Sequence, residues 1–186
     1  MHNMKQILAV GASAAALGWA LAAHSAPSPQ SVNVTVTATV NGSCNLTKNS
    51  DLAFGGVDPL GAAPGVAAVA GLTLQCNRGA APILDIGVSA NAASCSGSSR
   101  CMVQSGSYLN YNIYLPSASG TDWTTCPATG TGTVWEGAST LNATSSFAAS
   151  GGNRSISLCG QLPLPQASVP ANASAYTDTV TVTATF

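Results

Sequence analysis

The chain carries nearly the same β-strand twice. Val34-Thr-Val-Thr-Ala-Thr-Val40 stands near the front, and Val180-Thr-Val-Thr-Ala-Thr-Phe186 stands at the back. Both alternate apolar residues with threonine at period two, the pattern of a strand with one buried and one wet face. The back copy stops at Phe186, the last of the 186 residues. A sheet that closed there would leave unpaired backbone groups and an uncovered apolar groove, which natural β-proteins avoid. The front copy is a surplus strand of matching chemistry. A chain that lacks a closing strand and holds a spare one can polymerise by lending the spare to a neighbour. Each copy would both give and receive, so the contact is head-to-tail and continues as a filament.

The first residues read as an export signal. Lys5 gives a modest positive start, and Ile7 to Ala23 is an apolar run of Ala, Leu, Val, Gly and Trp19. Small residues at Ala23 and Ser25 then fill the two cleavage pockets. Cleavage after Ser25 is expected; a cut after Ala26 would put Pro27 directly beyond it and His24 in a small-residue pocket. The expected layout is a signal peptide at 1–25, a strand-bearing segment at 26–41 and a domain at 42–186. Beyond the signal no apolar run reaches the ~20 residues needed to cross a bilayer. The mature chain is expected to be exported and soluble.

About 160 residues remain, a single-domain length with room for a core. Charged residues make up 6% of the chain, against about 25% in an ordinary soluble domain. Low charge weakens the repulsion that keeps monomers apart, which suits an assembling protein. It also argues against nucleic acid as a partner, because phosphate binding needs clustered cations. After the signal only Lys48, Arg78, Arg100 and Arg154 are left, and they are scattered. Both histidines, His2 and His24, fall in the signal. A mature chain without histidine has no Ser-His-Asp triad, no HExxH zinc site and no imidazole acid or base. The acids Asp51, Asp58, Asp85, Asp122, Glu136 and Asp178 each sit beside turn or strand residues. No enzymatic role, metal or cofactor is expected. Asp178 reads as a solvated or turn-facing residue of the last strand.

Several short strands punctuated by turns mean an all-β sandwich. Val32, Val34, Val36, Ala38 and Val40 form one apolar face, with Asn33 and threonines opposite. Nine such residues reach about 30 Å at ~3.3 Å each. Asn41-Gly42-Ser43 is turn chemistry. Leu72 to Cys76, Ile83 to Val88, Tyr108 to Tyr114, Thr133 to Trp135, Ser155 to Cys159 and Tyr176 to Phe186 read as further strands. Tyr108, Tyr111, Tyr114 and Trp135 are expected to serve core and cross-strand packing rather than a sugar-stacking platform.

All six cysteines, Cys44, Cys76, Cys95, Cys101, Cys126 and Cys159, lie in the exported part. An even count there reads as three disulfides, among fifteen possible connectivities. Spacing favours Cys95 with Cys101 around a short Ser/Gly loop. Cys44 and Cys76 flank strand-like segments and are paired, which leaves Cys126 with Cys159.

These residues together resemble the spore coat protein U domain family, the pilins of archaic (Csu-type) chaperone–usher pili. The marks are Gly42-Ser-Cys44, Phe54-Gly55 with Asp58-Pro-Leu60, and Cys76 with Gly79. Tyr108-Leu-Asn-Tyr-Asn-Ile-Tyr114, Trp135, Gly160-Gln161-Leu162, Gln166 and Tyr176-Thr-Asp-Thr-Val-Thr-Val182 follow in order. The resemblance implies an incomplete immunoglobulin-like β-sandwich lacking its last strand, completed by a donor strand. It implies a periplasmic chaperone, an outer-membrane usher and neighbouring pilin subunits as partners, in a homo- or heteropolymer. On that mapping Val32, Val34, Val36, Ala38 and Val40 are the donor face. Val180, Val182, Ala184 and Phe186 are the accepting strand and its groove, and Cys44–Cys76 is the family's bridge. The implied role is a structural pilus subunit on the cell surface that supports adhesion and biofilm formation. Two other classes remain open, a monomeric exported carbohydrate-binding module and a non-filamentous coat protein. The chain departs from the family pattern in its four further cysteines. Cys159 stands where an aromatic is expected, and no Gly precedes Tyr176 at the expected place.

Overall fold

A computed structural model describes residue 29 and residues 31–95, 99–171 and 174–186. The expected signal peptide at 1–25 lies outside the described residues. The chain divides into two units, residues 1–39 and residues 40–186.

Among the described residues, all the strands lie in the second unit. They are β1 (Cys44–Lys48), β2 (Val66–Cys76), β3 (Ile83–Ile86), β4 (Cys101–Gln104), β5 (Ser107–Asn110) and β6 (Asn112–Tyr114). They continue with β7 (Ser117–Ser119), β8 (Asp122–Thr125), β9 (Leu141–Asn142), β10 (Gly152–Leu162) and β11 (Val182–Thr185), and one short helix, α1 (Thr144–Ala148), precedes β10. The larger sheet runs β1-β2-β10-β8-β7, with β6 also on β10; the smaller runs β11-β3-β9. β4 and β5 form a separate hairpin. Its spine is the antiparallel pair β2–β10, in register from Gly152 opposite Cys76 to Leu162 opposite Val66.

Alternation explains why the two sheets stack as a sandwich. Leu72, Leu74, Ile156 and Leu158 point inward from the larger sheet, and Leu84 and Ile86 from the smaller. Trp135 and Phe147, both fully buried, join the same core. The intervening Thr73, Gln75 and Asp85 stay on the outer faces. Disulfides join Cys44 to Cys76 across β1–β2, Cys126 to Cys159 on β10, and Cys95 to Cys101. The family-type residues Gln161 and Gln166 act as ties. Gln161 accepts the Gly130 N–H and donates to the Ala128 carbonyl, while Gln166 makes the reciprocal pair of bonds with the Asn110 backbone.

Several readings of the sequence change here. Thr133 to Trp135, read as a strand, holds only an isolated bridge at Val134. Tyr176 to Phe186 is a strand only over Val182–Thr185, with an isolated bridge at Thr177. Residues 31–40, read as a strand, belong to no helix or strand. Alternation equips a segment for pairing, but only a partner's ladder makes it a strand. Tyr108 to Tyr114, read as one strand, breaks at Tyr111. β5 pairs with β4 and β6 pairs with β10; between them the Tyr111 N–H still bonds the Arg100 carbonyl opposite it in the hairpin register, and its hydroxyl bonds Asp178.

Candidate functional site

Among the described residues the larger sheet ends in β1 and β7 and the smaller in β11 and β9, and two of these open edges, β1 and β11, border one cleft. β1 pairs only with β2 and ends the larger sheet; β11 pairs only with β3 and ends the smaller. An open cleft of about 560 Å³ is lined from both edges. Leu46 comes from β1, Leu72 from β2, Ile113 from β6 and Leu158 from β10. Leu52 and Phe54 enter from the segment after β1, Met102 from β4, and Val180 and Val182 from the last segment.

The wall of Leu52 depends on a glycine. A Cβ at Gly160 would lie 2.6 Å from Leu52 Cδ2. Only a bare backbone at this point of β10 lets Leu52 seat against the sheet. The Gly160-Gln161-Leu162 motif therefore serves the cleft as well as the loop tie.

The accepting side is built by alternation. Val180, Val182 and Ala184 are half-buried and packed on the core, while Thr179, Thr181, Thr183 and Thr185 face outward. The Thr177, Thr179 and Thr181 carbonyls accept bonds from the Val103, Ala90 and Gly87 N–H groups at 2.9, 2.9 and 2.8 Å. Odd-numbered residues thus spend their backbone groups on the hairpin and on the segment that follows β3. By strand alternation the backbone groups of Val180, Val182 and Ala184 point to the open side. One edge presents apolar side chains and free ladder positions together. Phe186 is 56% exposed, and neither it nor Ala184 lines the cleft.

One polar cluster interrupts the apolar lining. The Tyr111 hydroxyl donates to Asp178 Oδ2 at 2.6 Å, and Asp178 Oδ1 accepts from Asn91 Nδ2 at 3.0 Å and the Thr179 N–H at 2.7 Å. Asn91 Nδ2 also reaches the Thr177 and Cys101 carbonyls. Asp178 is therefore not a solvated residue but the half-buried pin of the last segment. Burial first, then the bond to Asp178 and its charge, push the Tyr111 hydroxyl well above its ordinary pKa. Beneath lies Arg100, fully buried, whose Nη2 donates to the Gly87 and Trp135 carbonyls. Burial lowers its pKa, and Tyr111, Glu136, Asp178 and Asp85 oppose that shift. At the rim Lys48 and Asp51 meet in an exposed ion pair that cancels their charges.

Val32, Val34, Val36 and Val40 are 77–89% exposed, and Ala38 is also exposed. The segment's root is held at Asn77, whose side chain donates to the Asn41 carbonyl and accepts the Ser43 N–H. The cysteines are all in bridges. Tyr111 and Trp135 are buried in the core, Tyr114 is half-buried and Tyr108 is exposed. Leu46, Leu52, Phe54, Leu72, Met102, Ile113 and Leu158 escaped sequence reasoning as site residues. Alternation marks each as inward-facing, but not that all converge on one cleft.

The arrangement offers apolar burial and backbone hydrogen bonds to an extended strand. Among the described residues no group of acids, cysteines or histidines is placed to hold a metal, and no helix is long and apolar enough to cross a membrane.

The family model of the Spore Coat Protein U domain matches residues 30–183, from the exposed valine segment through β11. The chain belongs to this family. No curated protein matches it significantly. Among solved structures this spore coat U chain is similar to one in a crystal structure of the CsuC-CsuE chaperone-tip adhesion subunit pre-assembly complex, from archaic chaperone-usher Csu pili of Acinetobacter baumannii. The TM-score is 0.51 at 17% identity, over 80% of this chain and 40% of that one. This spore coat U chain thus spans less than half the length of that solved chain, and the likeness supports the β-sandwich fold.

Proposed function

We propose that this spore coat U chain is a structural subunit of a surface pilus, assembled by the chaperone–usher route through donor-strand exchange. The observation that carries the reading is the cleft between two unpartnered strand edges, in a chain that also exposes an alternating valine segment. A strand from outside would bury its valines on Leu46, Leu72, Val180 and Val182 and bond the free backbone positions beside them. Each buried Val contributes about 1.5–3 kcal/mol, and the ladder adds to that. A periplasmic chaperone fills the cleft first, and the Val32–Val40 segment of the next subunit replaces it at an outer-membrane usher. The solved relative stands in a chaperone pre-assembly complex, which supports the first of these steps. Export precedes it, and the finished fibre lies at the cell surface, supporting adhesion and biofilm formation.

The test compares the mature chain with a version beginning at Asn41, each co-produced with the chaperone and run on SDS gels without boiling. The full chain is expected to give ladders, and the shortened one to stop at a one-to-one chaperone complex. Two stable monomers that need no chaperone would overturn the reading in favour of a self-contained binding module.

A further inference from the structure

The cleft is lined by apolar side chains, by Lys48, Ser50 and Asp51 beside β1 and by Asp178 on the side of the last segment, and the exposed segment has one small residue in its apolar row. The polar place on the accepting strand is Asp178, whose two oxygens are already committed to Tyr111, Asn91 and the Thr179 N–H. A branched side chain set against it would remove water from a carboxylate and return no hydrogen bond. The small residue is Ala38, the exception among Val32, Val34, Val36 and Val40. Charge imposes no other register, since residues 26–47 contain no charged side chain and the rim pair Lys48–Asp51 is neutral as a unit.

We infer that residues 32–40 of a second copy lie antiparallel to the last segment in one register, with Ala38 over Asp178. This rests on the strand-exchange reading above. Val36, Val34 and Val32 then stand beside Val180, Val182 and Ala184, and Val40 stands beside Tyr176. Val180, Val182 and Ala184 each gain a valine, and Phe186 at the end of the row does not. A parallel strand with Ala38 over Asp178 covers Val180 with Val40 and leaves Val182 and Ala184 bare. Sliding the antiparallel strand by two residues keeps its apolar face inward but presses a valine on Asp178. One slide brings Val40 there. The other brings Val36 there and leaves Ala184 bare. Tyr111, Asp178 and Asn91 thus act as register-setting residues of the cleft.

The test uses synthetic peptides spanning Ser31–Asn41, offered to the mature chain held by its chaperone, with SDS-resistant capture as readout. Because the changes are in the peptide, the chain's folding is not at issue. Ala38→Leu is expected to cut capture at least tenfold, and Val34→Leu less than threefold. Equal losses would overturn the register. For orientation, a Val34→Cys peptide is expected to form a mixed disulfide with a Val182→Cys chain, where the native chain has no free cysteine. Capture of that peptide without cross-linking would overturn the antiparallel placement. If the unmodified peptide is not captured at all, strand exchange itself falls, and the register with it.

Discussion

The centre of this sandwich and its open side use the same alternating sequence pattern and reach different states. Along β2 and β10 the inward residues Leu72, Leu74, Ile156 and Leu158 are at most 7% exposed. Each of those strands has a neighbour on both sides. At β11 and just before it the inward residues Val182 and Val180 are half-buried, and the strand is paired on one side only. Burial in a sheet is therefore a property of the neighbours as much as of the side chain. The same valine is core when flanked and docking surface when not.

The sharpest way to probe that contrast is to damage the centre. Leu74→Ala, at a position with no exposure, is expected to lower the unfolding free energy by about 2–5 kcal/mol. Urea denaturation reads this as a fall in midpoint; a loss below about 1 kcal/mol would mean the centre is no better packed than the edge.

Tyr111→Phe should cost less, about 1.5–3 kcal/mol, because it removes a hydrogen bond to a carboxylate. The sign of its pH dependence follows from the raised pKa. The fold holds the Tyr111 proton more tightly than the unfolded chain does, from an ordinary value of 10.0. The contribution is intact below about pH 10 and is lost as the pH climbs above it. The Phe variant should lack this part of the alkaline decline, so the gap between the two proteins should narrow above pH 10. A gap that widens there would contradict the assigned environment.

Val182→Thr tests the open side. Its effect on the unfolding of the unpartnered chain is expected to be about 1 kcal/mol or less. Capture of the Ser31–Asn41 peptide should nevertheless fall about tenfold. A stability loss as large as that of Leu74→Ala, with capture unchanged, would place Val182 in the core proper. Smallest of all is Lys48→Ala. The ion pair it breaks is 64% and 81% exposed on its two sides, and such pairs contribute little. Thermal unfolding should show no resolvable shift, and a clear one would show that the rim helps hold the cleft's shape.

Much of the fold was legible in single strands. Leu72 to Cys76 and Ser155 to Cys159 alternate cleanly and lie in β2 and β10, and of Ile83 to Val88 the first four residues form β3. The three disulfides are the pairs that spacing and neighbouring strands favoured. Less was legible where one residue serves two sheets. Tyr111 sits in an unbroken aromatic alternation, yet the run changes partners there from hairpin to spine, and its hydroxyl ties to Asp178. Arg100 read as one of a few scattered cations. Its burial depends on carbonyls from β3, the residue after it and Trp135, which no local pattern brings together.

The sequence by itself determined that this protein is all-β, bridged by disulfides and endowed with two matching strand patterns. Period-two alternation is a local property, fixed by the pleat of the backbone. Only the tertiary structure decided that β1 and β11 end their sheets on the same cleft, that Leu52 reaches it over Gly160, and that Asp178 interrupts it. Those facts depend on which strands become neighbours, and that is settled by packing residues far apart in the chain around one core.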